Sequence, residues 1–358
     1  MTSKIFKKTK NQISSEEVVE NTENPENTII TETILVKENK SGRDQLLDSS
    51  LRPQTFEEYV GQEVVKANLK ILLEAAKERN HQPEHLLFYG PPGLGKTTIS
   101  HLVAKTLGAN MKTTSGPAIE KVGDLASILT NLEHGDVLFI DEIHRLNKMI
   151  EEVLYPAMEN GVIDIIIGKG PAARTIQLDI PPFTLVGATT RVALLSSPLR
   201  SRFSGGVFRL ENYSDIEIEK IIKRSAGILN IQIEDEAAKE ISKRARSTPR
   251  TANYLLKRAR DIAQLRKTSL NKEIVVELLR LLEIDEYGMN QNDRNLLITI
   301  QEKFKGGPVG INTLAASLSE EEETLEEVIE PYLLQIGMLE RTPRGRIVTD
   351  KAKKHLGY

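Results

Sequence analysis

Apolar and polar positions change their pattern four times along the chain, and each change predicts a different kind of structure. Residues 1 to about 45 are polar, hold no lasting period and contain one aromatic, Phe6. Burial in such a segment cannot offset the entropy lost on ordering, so it is expected to be a disordered extension. Order is expected to begin near Leu51-Arg52-Pro53, with Thr55 to Gln62 leading into a helix from about Glu63 to Arg79. From there to about Leu210, short buried-type strands (Leu86–Tyr89, Val137–Ile140, Thr184–Gly187, Val207–Leu210) alternate with amphipathic helices. This alternation predicts an α/β domain around a mostly parallel sheet. Ligand loops should then gather at the carboxyl ends of its strands.

One insertion breaks the alternation. Val162 to Ile167, Gly168-Lys169-Gly170-Pro171 and Ala172 to Ile180 read as strand, turn, strand. This hairpin, residues 162–180, carries more apolar residues than an excursion from a covered sheet needs. It either packs back on its own domain or protrudes toward another chain.

From Ser214 to Ile284 the period is helical throughout, with helices over Asp215–Leu229, Glu234–Arg246, Thr248–Lys267 and Leu270–Leu282. After Asp285-Glu286-Tyr287-Gly288 come helices over Asn290–Phe304, Ile311–Leu318 and Ser319–Gln335. The last should carry a Ser319/Glu322 capping box and a kink at Pro331. Met338–Arg341, Thr342–Gly345 and Arg346–Thr349 close the chain as strand, turn, strand, completing a winged-helix pattern. The expected division is 1–45 extension, 46–213 large α/β domain, 214–284 helical domain and 285–358 winged helix.

Composition narrows the class. A length of 358 residues with 39% hydrophobic content supports two or three cored domains. Cysteine is absent, which excludes a disulfide framework and any Cys-ligated metal. No run of ~18 apolar residues and no signal-type segment is present, so a soluble, cytoplasmic protein with no membrane partner is expected. Net charge is −3, so any nucleic-acid contact must be local. With 4% aromatics and no tryptophan, a single-strand binder built on base stacking is disfavoured.

The chemistry concentrates in Gly90-Pro91-Pro92-Gly93-Leu94-Gly95-Lys96-Thr97, which fits G-x-x-x-x-G-K-[ST] at every fixed position. It lies between a buried-type strand and an amphipathic helix, the context that pattern requires. Gly90, Gly93 and Gly95 permit a backbone whose N–H groups turn inward on a phosphate, and the following helix aims its positive end there. Lys96 would reach the β- and γ-phosphates of ATP and the Thr97 hydroxyl would meet Mg²⁺. The bland alternative is a glycine-rich turn with a chance lysine. About 45 residues later, Val137 to Ile140 ends in Asp141-Glu142. In a phosphate-loop protein the first carboxylate supports the metal and the second polarises the attacking water, so hydrolysis is expected. The alternative is two acids capping a sheet edge. His144 reads as a hydrogen-bonded spacer.

Charges add two expectations. Between Lys243 and Lys267 nine Lys and Arg face one acid, Asp261, and within that run Thr248-Pro249-Arg250 fixes a helix start and so the direction of Arg250. The third winged-domain helix carries Glu320, Glu321, Glu322, Glu323, Glu326, Glu327 and Glu330, which phosphates would repel. The wing instead carries Arg341, Arg344 and Arg346, backed by Lys351, Lys353 and Lys354. DNA contact is therefore expected at the wing, through phosphates. A protein-binding winged helix with a basic tip is the alternative.

Together with Gly187-Ala188-Thr189-Thr190-Arg191 and Pro198-Leu199-Arg200-Ser201-Arg202-Phe203, these motifs resemble an AAA+ ATPase, and more closely the RuvB family of Holliday-junction branch-migration motors. The resemblance runs from about Leu51 to the C-terminus. It implies a homo-hexameric ring that uses ATP and Mg²⁺ to move double-stranded DNA in recombination, repair and the SOS response, with RuvA on the 162–180 hairpin and the resolvase RuvC as a further partner. By the same resemblance Gly93, Gly95, Lys96, Thr97 and Thr98 cradle the nucleotide. Thr97 and Asp141 serve the metal, Glu142 activates water, and Thr190 senses the γ-phosphate. Arg202 is implied to be a finger reaching the neighbouring subunit, and Arg250 a second sensor. Leu51, Arg52, Tyr213 and the turn Glu159-Asn160-Gly161 would line the pocket, while Arg341 and Arg346 would hold the DNA backbone. For Arg202 a salt bridge within its own domain is the alternative. One departure stands beside it: Ser204-Gly205-Gly206-Val207 is one residue longer than the family's usual sequence, which bears on the finger's reach. A clamp-loader switch, a nucleotide-gated DNA-binding regulator and a protein unfoldase are the rival functions.

Overall fold

Five strands carry the larger part of the molecule: β1 (Leu86–Tyr89), β2 (Met111–Ser115), β3 (Val137–Asp141), and, beyond the hairpin strands β4 (Val162–Ile167) and β5 (Arg174–Asp179), β6 (Thr184–Thr189) and β7 (Gly206–Arg209). The structure, a computed structural model, describes residues 50–167 and 174–358. The polar extension and the hairpin turn anticipated above lie outside the described residues. The sheet runs β2-β3-β6-β1-β7 with every pair parallel.

Both faces of this sheet are covered, yet the strand period of two still sorts its side chains. Leu86, Phe88, Val137, Phe139, Val186 and Ala188 join one buried cluster with Leu69, Leu73, Ile99 and Leu102. Leu87, Leu138, Ile140 and Leu185 join the opposite cluster with Leu129, Ile150 and Leu154. Strand β2, Met-Lys-Thr-Thr-Ser, has no apolar run because it is an edge strand with no fully buried position. It therefore left no strand signal in the sequence.

Helices Asp215–Ile228, Asp235–Arg244, Pro249–Arg266 and Lys272–Leu281 follow. Their buried residues, including Ile218, Ile222, Ile241, Leu255 and Leu256, belong to the first cluster, so the helical part shares a continuous core with one face of the sheet. The hairpin pairs antiparallel from Val162↔Asp179 to Ile167↔Arg174. Ile163 and Ile180 at its base are buried in the second cluster, while Arg174 to Gln177 on β5 are exposed. Thus the base packs on its own domain and the second strand faces outward.

The C-terminal part has a core of its own, built on Leu296, Leu297, Leu314, Leu325, Leu333 and Met338. Helices Gln291–Phe304 and Ile311–Leu318 lead to a third helix, and β8 (Leu339–Thr342) pairs antiparallel with β9 (Gly345–Val348) to form the wing. The expected Ser319/Glu322 capping box is not formed. Ser319 instead closes the preceding helix in the left-handed conformation, φ 56°, and the third helix begins at Glu322 with no side-chain cap. The chain remains helical through Pro331, but the turn Leu325–Ile329 before it is of the wider π type. That widening accommodates a residue with no N–H to give and a ring that crowds the preceding turn. Among the described residues no helix is long and apolar enough to cross a membrane.

Candidate functional site

Register brings the chemistry together. Tyr89 of β1 lies beside Thr189 of β6, and Ile140 of β3 beside Gly187. The loop after β1, the acids ending β3 and the Thr189-Thr190 pair ending β6 therefore open at one edge, the carboxyl end of three adjacent strands.

The loop after β1 turns through Gly93 and Gly95, whose φ values of 83° and 98° suit glycine. Lys96 starts the helix Lys96–Leu107, and its Nζ donates to the carbonyls of Gly90 at 2.8 Å and Pro91 at 3.0 Å. Burial holds the ammonium below its usual pKa, opposed by the charges of Glu142 and Asp141. Thr97 and Thr98 are half-buried in the first helical turn. Beneath the loop, the hydroxyls of Tyr59 and Tyr213 both donate to the Leu94 carbonyl, at 3.3 and 3.2 Å. A β-carbon on Gly95 would lie 2.8 Å from the Tyr59 hydroxyl. Sequence reasoning placed Tyr213 at the pocket and missed Tyr59, an ordinary member of Thr55 to Gln62 with no motif to mark it.

Asp141 ends β3, and its Oδ1 accepts from the Glu142 backbone N–H at 3.0 Å. Burial, and then the Glu142 charge, push the Asp141 carboxyl above its usual pKa. Glu142 sits in the left-handed region, φ 46°, a conformation that a non-glycine residue adopts at a cost and that recurs at functional sites. Its Oε2 accepts from the Thr190 hydroxyl at 3.1 Å and lies 3.2 Å from His144 Nδ1. That nitrogen also meets Thr189 Oγ1 at 2.9 Å. Burial lowers the His144 pKa, which favours the neutral ring expected of a spacer.

The start of the helix Pro249–Arg266 closes on the phosphate loop: a β-carbon on Gly93 would meet Arg250 Cβ at 3.1 Å and Thr248 Cβ at 3.5 Å. The Tyr213 amide donates to the Ser247 carbonyl at 3.0 Å, which ties the same turn to the tyrosine pair. Leu51 is buried, its carbonyl bonded to Arg224, and Arg52 is half-buried. In the 204–206 segment, the Gly205 amide bonds His85 O at 3.0 Å and the Gly206 amide bonds Phe203 O at 3.2 Å. The segment is thus a tight turn leading into β7.

Arg202 and the Glu159–Gly161 turn form a second locus within the chain. Arg202 Nη2 pairs with Glu159 Oε1 at 3.0 Å, Nη1 donates to Pro198 O at 2.8 Å, and the guanidinium lies 4.2 Å over the Tyr155 ring. Its Nε is buried with no hydrogen-bond partner among the described residues. The alternative contact, a salt bridge within the same domain, is the one this chain adopts.

The wing corrects one expectation. Arg346 Nε donates to Glu330 Oε1 at 2.7 Å, and Nη2 donates to Glu330 Oε2 at 3.1 Å and Glu326 Oε1 at 2.8 Å. Held by two carboxylates and buried, this arginine is a strut between wing and third helix, not a free phosphate contact. Arg341 also pairs with Glu326 but stays half exposed, and Arg344 is exposed at the turn.

Mg²⁺ prefers few protein oxygens and completes its shell with water and phosphate. The Thr97 hydroxyl and the Asp141 carboxylate suit that role at a nucleotide. Among the described residues no cluster of three or more His, Asp or Glu forms a metal site by itself.

Comparison with known proteins divides the chain in the same order. Residues 51–210 match the model of the Holliday junction DNA helicase RuvB P-loop domain, 213–285 the RuvB AAA lid domain, and 286–357 the RuvB C-terminal winged helix domain. Among solved structures, the Thermotoga maritima RuvB Holliday junction branch migration motor is 54% identical, with 86% of this chain and 99% of that one covered and a TM-score of 0.79. A point variant of the same protein gives 54% identity, coverage of 86% and 98%, and a TM-score of 0.80.

Proposed function

The chain belongs to the RuvB family of AAA+ P-loop ATPases, and from that premise we propose that six copies form a ring that drives branch migration of Holliday junctions. The observation that carries this reading is the convergence of Lys96, Asp141, Glu142 and Thr190 at one sheet edge. The working units are 46–213 as ATPase domain, 214–284 as lid and 285–358 as DNA-binding head.

Lys96 and the loop amides hold the β- and γ-phosphates of ATP, Thr98 and Gly93 complete the cradle, and Leu51, Arg52 and Tyr213 bound the rest of the pocket. Mg²⁺, held through Thr97 and Asp141, neutralises phosphate charge when bound. Glu142 orients the attacking water, and the Thr190 hydroxyl fixes its carboxylate in the meantime. Arg202 is the group supplied to the neighbouring copy. To reach it, Arg202 gives up the Glu159 ion pair and the Pro198 carbonyl for phosphate oxygens on the neighbouring copy. A finger delivered this way is worth about 10³ to 10⁵ in turnover. The Glu159–Gly161 turn then faces the subunit boundary and lines the shared pocket. Arg250 couples lid angle to phosphate, and Tyr213 follows through the Ser247 carbonyl.

The head meets duplex DNA through the exposed Arg344 and the outer side of Arg341, by phosphate contacts that carry no sequence preference. The outward strand of the 162–180 hairpin receives RuvA, and RuvC acts on the same junction. The setting is cytoplasmic recombination and repair, including the SOS response. A four-way-junction assay tests the reading: ATP-dependent movement that increases with RuvA is expected, and a junction that stays intact with ATP, Mg²⁺ and RuvA present overturns it.

A further inference from the structure

We propose that Arg191 is a positioning residue that ties the water-orienting carboxylate to the winged-helix head, so that DNA engaging the head changes ATP turnover. The proposal rests on the ATPase reading above and adds a route between its two ends.

Arg191 directly follows Thr190, the residue whose hydroxyl lies on Glu142. Its own amide donates to Thr189 Oγ1 at 3.0 Å, and that oxygen meets His144 Nδ1, itself 3.2 Å from Glu142. The backbone of Arg191 is therefore locked into the site. Its side chain leaves it: the guanidinium pairs with Glu327 and lies 4.0 Å from Glu323, both on the third helix of the head. Partial burial raises the Glu327 pKa, Arg191 opposes that, and the Glu142 charge also acts on it, so the two carboxylates lie within electrostatic reach.

The next residue back, Glu326, points the other way and holds Arg341 and Arg346 of the wing. One π turn, Leu325–Ile329, thus presents adjacent carboxylates to the ATPase loop and to the wing. The head has a second joint, to the lid. There Arg246 pairs with Asp293, donates to Gly288 O at 3.0 Å and lies 4.7 Å over Tyr332. Asp293 is 1% exposed, whereas Glu327 is 35% and Glu323 64% exposed. The lid joint is buried and costly to break, and the Arg191 joint is wet and cheap to break. When the lid turns, the head moves with it and the Arg191 contact is made or broken, giving two discrete arrangements that bias Glu142.

The test measures ATP turnover of the full chain with and without linear duplex DNA. Glu323→Gln/Glu327→Gln is expected to keep turnover without DNA unchanged and to lose stimulation by DNA by about fivefold or more. The loss is in kcat, with KM for ATP unchanged. Arg191→Ala loses the same stimulation, and the exchange Arg191→Glu/Glu327→Arg restores it. Undiminished stimulation in the glutamine variant, or an exchange that restores nothing, overturns the proposal. So does a loss that appears equally without DNA, the mark of a merely structural contact. If the unmodified chain hydrolyses ATP but ignores DNA, the relay alone fails. If it hydrolyses no ATP, the functional reading fails with it. Should Arg191→Ala not fold, the glutamine variant and the exchange still decide.

Discussion

Lys96 and Arg346 are equally buried, each 7% exposed, and sit in motifs that both look made for phosphate. Their partners differ in kind. Lys96 donates to two neutral carbonyls, and burial lowers its pKa with no carboxylate in hydrogen-bond contact among the described residues. Around Arg346 burial also opposes the charge, but Glu330 and Glu326 outweigh it and the net shift is upward. A buried cation resting on carbonyls is poised for an anion to arrive. One already held by carboxylates has its anion and serves as structure.

This contrast breaks most decisively at Lys96. Lys96→Ala should abolish ATP turnover in a coupled assay while leaving thermal stability without nucleotide undiminished, because it removes a buried charge that rests on neutral carbonyls. Glu142→Gln should lower turnover by about 10²- to 10⁴-fold while retaining bound ATP, read by single-turnover kinetics and filter binding. On the other side, Glu330→Ala should strip Arg346 of two of its three carboxylate hydrogen bonds and leave it buried on Glu326 alone, costing up to about 3 kcal/mol in urea denaturation. The double change Glu330→Leu/Arg346→Met should recover most of that. Smallest is Arg344→Ala, which should leave stability alone and lower the salt slope of duplex binding by about one phosphate contact.

Legibility followed the same division. The phosphate loop and Asp141-Glu142 could be placed at strand ends because their pattern and spacing are local, and parallel register then aligns them; Thr190 came from the resemblance alone, and its neighbour Thr189 was not singled out. Strand β2 was not, since an edge strand of threonine and lysine carries no apolar period. Tyr59 reaches Leu94 across 35 residues, and nothing local marks it. Arg346 was misjudged because the seven glutamates of the third helix read as a free acidic face. In the fold, Glu326 and Glu330 are neutralised by the wing, and Glu327 by Arg191. Ser319 could close one helix or open the next, and only the chain's turn between them decides which.

In the proposed motor the site is shared between copies, and Arg202 leaves Glu159 to serve the next subunit. Mixing Lys96→Ala chains with Arg202→Ala chains, each inactive alone, tests this directly by ATP turnover. Mixed rings join an intact phosphate loop to an intact arginine across a boundary, so a substantial part of the activity should return. A mixture as silent as its components contradicts the account.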